Sequence, residues 1–104
     1  MARSEYEIQM DFQKVKNEGD KLRETAHKLK NQIEILKQIY NSINSSWKSD
    51  NTSLYRNKLM KRINELTTVY NNINKVASKL DMVAANTYKA EKEALSAVKT
   101  KGNR

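Results

Sequence analysis

The chain contains one histidine, His27, and no cysteine. Thiolate nucleophiles, disulfides and cysteine-based metal sites are therefore excluded, and a histidine-centred acid–base pair finds no matching carboxylate or hydroxyl motif. His27 follows Ala26 at the edge of an apolar stripe, where a solvent-facing or half-buried spacer accounts for it. No catalytic residue, cofactor or metal ligand is expected, and the protein is not expected to be an enzyme. What its residue types do support is recognition. The only tryptophan, Trp47, stands among turn-forming residues in "NSINSSWKSDNTSLY", and a cationic cluster, Arg56, Lys58, Lys61 and Arg62, follows directly.

Composition sets the frame that must position these groups. At 104 residues the chain makes one small domain, near the lower limit for a self-sufficient core. Proline is absent and only two glycines occur, Gly19 inside the chain and Gly102 near its end. A sandwich or barrel needs more frequent turn residues, which leaves long helices. The start, "MARSEYEIQM", has no apolar signal-peptide core, and no window approaches the eighteen apolar residues of a membrane span.

Periodicity fills the frame. Spacings alternating between four and three connect Ile8, Phe12, Val15, Gly19, Leu22, Ala26, Leu29, Ile33, Leu36, Tyr40, Ile43 and Trp47, and none of these is charged. A sustained seven-residue repeat predicts a helix wound against another. Ser4 and Glu7 have the spacing of a capping box, so helix one is expected over about 5–46. The series breaks at about 47–51, where short polar side chains compete for backbone hydrogen bonds and favour a turn. It resumes at Leu59 through Ile63, Leu66, Tyr70, Ile73, Ala77, Leu80, Ala84 and Thr87, giving a second helix over about 52–99 and a flexible tail at 100–104. Residues 1–104 thus read as a single all-α domain, an antiparallel helical hairpin. Gly19 on the stripe would either allow close helix approach or mark a bend.

One seam does not use all the apolar residues. Val69, Val76, Val83, Ala90 and Ala97 recur every seven residues beside the second stripe, and Ile35 and Ile39 widen the first. These residues are expected to form a partner interface, completing a four-helix bundle with another hairpin. Charge is uneven as well: residues 1–47 carry a net +1 and residues 48–104 a net +7. The cluster Arg56, Lys58, Lys61 and Arg62 is read as a solvated face, as a surface for an acidic protein, or, third, as a surface for nucleic acid, for which no accompanying motif is found.

A hairpin of this size with tryptophan at the turn resembles the WXG family of small bacterial type VII secretion proteins. The family motif, Trp-x-Gly, reads here as Trp47-Lys48-Ser49, without the glycine. The family's C-terminal export signal, tyrosine followed four residues later by an acid, is matched only by "YKAEKEA" from Tyr88, where Glu91 stands one residue early. On a helix Tyr88 and Glu91 share a face. Relatives without the signal pair with a partner that carries it, among them the small helical partners of LXG polymorphic toxins. The resemblance therefore implies a non-catalytic targeting partner that stabilises the helical N-terminal domain of an LXG-type toxin, cytoplasmic before export and leaving, if it leaves, by a type VII system. The alternatives are a self-exported homodimer and a basic coiled-coil nucleic-acid binder. Trp47 either plugs the open end of the hairpin or presents a ring edge to a partner. Loss of helicity on circular dichroism of Trp47→Ala is expected for the plug, and loss of partner binding at unchanged helicity for the recognition role.

Overall fold

In a computed structural model the chain forms an antiparallel hairpin of two long α-helices, α1 (Glu5–Ser46) and α2 (Asp50–Gly102). The structure describes residues 4–46 and 50–102, with side chains left aside at 44–46, 50 and 100–102. Among the described residues there is no strand. The all-α hairpin expected from the sequence is the fold observed.

The helix ends follow from local chemistry. The Ser4 hydroxyl oxygen accepts the Glu7 backbone N–H at 3.1 Å, and the Ser4 carbonyl accepts the Ile8 N–H at 3.0 Å, which together seat the first turn of α1. The Glu7 carboxylate accepts the Ser4 hydroxyl at 3.2 Å. The box thus closes side chain to side chain, a variation on the reciprocal backbone pattern. Glu5 and Glu7 also place negative charge at the positive end of the helix dipole. α2 starts at Asp50 rather than near 52, since an acid suits a first turn, and continues through Gly102 rather than stopping near 99, because no breaker precedes that glycine. Residues 100–102, expected in a flexible tail, are therefore helical.

Packing groups the helices into two compact units. The terminal unit takes the chain up to Leu22 and again from Lys75, and the middle unit is Arg23–Asn74. Each contains a stretch of α1 packed against a stretch of α2. With each heptad written a to g and the apolar stripe at a and d, the stripe residues from Ile8 to Ile43 and from Leu59 to Ala84 are buried or half-buried. Ile8, Ala77 and Ala84 are buried in the terminal unit, and Ala26, Ile33 and Ile63 in the middle unit. Small residues of the stripe, Gly19, Ala26, Ala77 and Ala84, are buried among large ones, and Val15 and Ala84 line one cavity in the terminal unit. Gly19 is buried and keeps ordinary helical backbone, so its contribution is the missing side chain.

The stripe was expected to reach Thr87. Instead Thr87 is exposed and Tyr88 is half-buried. A helix with 3.6 residues per turn drifts by about 20° per heptad against a strict seven-residue repeat, and over the heptads after Leu59 that drift turns position d outward, while position e is half-buried throughout, from Met60 to Leu95. The stripe also extends backward past Leu59: Arg56 is half-buried and Thr52 is 5% exposed. Enlarging the fully buried Ala77 tests the small-against-large packing. Ala77→Leu should lower stability to urea by about 1–3 kcal/mol, while the exposed neighbour Ser78→Ala stays within about 0.5 kcal/mol, both read from the denaturation midpoint followed by circular dichroism.

Candidate protein-binding surface

Since the two helices run in opposite directions, their e edges line one side of the seam and their g edges the other. On the e side of the terminal unit, contacts close the seam. The Tyr88 hydroxyl donates to Gln9 Oε1 at 3.2 Å, and its ring lies 4.9 Å from that of Phe12 at a tilt of 52°. Lys92 Nζ is 2.6 Å from Glu5 Oε1 and 6.0 Å from the Tyr88 ring centroid. The hydrogen bond from Lys92, and then its charge, holds the Glu5 carboxyl below its ordinary range, and the same bond raises the Lys92 ammonium. Tyr88 and Glu91, the candidate export-signal pair, do share a face. That face is turned to α1, where both residues line a cavity of about 70 Å³ with Ile8, Phe12, Val15 and Ala84.

The g side is different in both units. In the middle unit Ile35, Ile39 and Val69 are exposed, with Ile35 at 47% and Val69 at 46%. In the terminal unit Val76 is 49% and Val83 57% exposed, and Ala90 and Ala97 are exposed as well. Each of these apolar side chains therefore faces solvent in the single chain.

The cationic cluster divides. Arg56 lies in the seam, its guanidinium carbon 4.4 Å above the centroid of the Tyr40 ring, with Nε buried and without a hydrogen-bond partner. Lys58, Lys61 and Arg62 are exposed and, with Glu65, border a shallow depression. Arg62 pairs with Glu65 at 3.4 Å, an exposed contact worth a few tenths of a kcal/mol, about 0.2–0.5. Lys58 and Arg62 occupy positions c and g, beside Ile35 and Ile39, so cations rim the apolar surface of the middle unit. Trp47 and Ser49, the candidate turn motif, lie outside the described residues.

Two features escaped the stripe count. Arg56 and Thr52 continue the three-and-four spacing backward from Leu59, a signal hidden by their polarity. A second row, Lys16, Arg23, Lys30 and Lys37, repeats every seven residues at position e of α1, hidden by the near-neutral total of that half. Among the described residues no group of acids and histidines is placed to hold a metal ion. His27 is exposed. No described helix is long and apolar enough to cross a membrane. No family model, curated protein or solved structure matches the chain. The geometry alone defines the class: an all-α helical hairpin with an apolar edge and a cationic rim.

The Glu5–Lys92 pair has a defined pH signature. Its folded carboxyl value is depressed, so the contribution from Glu5 is complete above the ordinary carboxylate range and is lost as pH falls through the lowered value. Lys92 is raised, so its contribution is complete below the ordinary lysine value and fades as pH rises through the raised one. An NMR titration of the Glu5 carboxyl carbon should show a midpoint below the ordinary glutamate value in the parent protein, returning to it in Lys92→Met.

Proposed function

We propose that this chain is a non-catalytic binding partner in type VII secretion, pairing with the helical N-terminal domain of a secreted LXG-type toxin to stabilise it and promote its export. The observation that carries this is the outward apolar edge: Ile35, Ile39 and Val69 in one unit, Val76, Val83 and Ala90 in the other. An apolar column repeated every seven residues fits the a and d positions of an opposing helix, and a second hairpin laid against it would complete a four-helix bundle. The route of secretion rests on the hairpin form together with Trp47 between the helices, features similar to the WXG family.

Charge selects the kind of mate. Two copies of a chain with net charge +8 repel one another, while an acidic mate is drawn to the rim at Lys58 and Arg62. A heteromeric pairing is thus favoured over a homodimer, in which affinity comes from the apolar columns and partner choice from the cations. The protein's role is steric: it covers an apolar helical surface of the toxin before transport.

The test is co-expression with the helical N-terminal domain of an LXG-type toxin, followed by size-exclusion chromatography with light scattering. Co-elution in a defined complex is expected. Val69→Asp and Val83→Asp should each weaken the complex by about tenfold or more with circular dichroism unchanged, because a carboxylate would be stranded in an apolar contact. A chain that stays a folded, solitary monomer beside that domain overturns the proposal. A stable homodimer indifferent to the domain transfers it to self-export.

A further inference from the structure

The opposite, e side of the middle unit presents a second surface, built from two rows. Lys30 and Lys37 on α1 are exposed members of the seven-residue cationic row, whose Arg23 is half-buried. Asn57, Asn64 and Asn71 form an exposed row on α2, also at seven-residue spacing. One member of each row, Lys37 and Asn64, borders an open groove of about 410 Å³ that Tyr40, Asn41, Met60, Ile63 and Thr67 also line. The α2 positions facing the cationic row here, Met60, Thr67 and Asn74, carry no charge. In the terminal unit the corresponding position is the acid Asp81. The one acid on the α1 side of the groove is Glu34, which pairs with Lys37 at 3.5 Å, both side chains being more than half exposed. Lys30 makes no ion pair among the described residues, so the surface keeps a net positive charge.

We infer that this groove docks an acidic α-helix laid along the hairpin, with carboxylates at heptad spacing opposite Lys30 and Lys37 and its remaining polar groups against the asparagine row. The spacing selects the occupant. Successive members of each row lie about 10.5 Å apart along the helix axis. A helix presents one residue type at that interval on one face. An extended peptide covers it in about three residues, an odd number, and so turns alternate acids away from the surface. A duplex, with one charge per about 1.7 Å of axis, calls for a denser run of cations than two lysines flanked by neutral asparagines. The asparagines suit a helix flank because each offers both donors and an acceptor. This surface is separate from the apolar g edge, so the hairpin can hold one partner by burial and a second by charge.

The experiment uses the whole chain and a labelled alanine-rich helical peptide of about four heptads carrying glutamate at one position per heptad, with anisotropy read at about 50 mM salt, where the Debye length exceeds 10 Å. The heptad peptide should bind about tenfold more tightly than a peptide of the same composition with its glutamates scattered around the helix. Lys30→Gln with Lys37→Gln should remove that preference, whereas Lys58→Gln with Lys61→Gln, an equal loss of charge elsewhere, should leave it intact. Equal binding of the scattered peptide, or equal loss in the control pair, overturns the inference in favour of diffuse attraction. Tighter binding of a short duplex DNA overturns it in favour of nucleic acid. Because Val69→Asp and Val83→Asp do not touch this groove, failure here and failure of the toxin pairing are read separately.

Discussion

The close approach of α1 to α2 is the constraint on which the rest depends, and it is set by alternating small and large side chains. Gly19, Ala26, Ala77 and Ala84 are buried among larger stripe residues, so the small side chains leave room that the large ones fill. A chain of this length has few layers to spend on a core, so each must close at interior density. Polar residues enter the seam as well. Arg56 has its guanidinium carbon 4.4 Å from the Tyr40 ring centroid, and the Tyr88 hydroxyl donates to Gln9 at 3.2 Å.

That same seam explains why the two edges differ. On α2, position e is half-buried in every heptad from Met60 to Leu95, while position g is exposed in every heptad, Val83 and Ala90 included. Only position d changes, leaving the seam at Thr87 as the helical turn drifts against the seven-residue repeat. The exposed valines are thus the counterpart of the half-buried e positions, which is why the surplus apolar column stays out of the seam.

Much of this was legible in the residues. The unbroken four-and-three series named nearly every buried or half-buried stripe position from Ile8 to Ile43 and from Leu59 to Ala84, because burial in a two-helix seam is set by periodicity. It failed at Thr87, where accumulated drift outweighs a one-residue difference in phase, and at Arg56 and Thr52, where polarity concealed a seam position. Of the candidate surfaces, the column through Val69 could be found as a repeat, and Ile35 and Ile39 as apolar residues beside the first stripe. Which members of the cationic cluster remain outside could not, because Arg56 differs from Lys58 only in its phase relative to the stripe. Charge totals misled in another way: a near-neutral α1 contains an ordered cationic row at position e, balanced by acids at other heptad positions.

The two edges also bear on how a single hairpin can distinguish partners. An apolar edge alone binds many amphipathic helices with similar affinity, since burial is non-directional. Discrimination needs a feature that penalises the wrong mate, and a chain with net charge +8 supplies it by repelling basic helices and its own copies. Lys58 and Arg62 are exposed, and cations at the rim of a contact influence encounter more than final affinity. Any attraction exerted by Lys30 and Lys37, across the seam, weakens as salt rises. The proposed apolar contact and the proposed charged one would therefore differ in their response to salt.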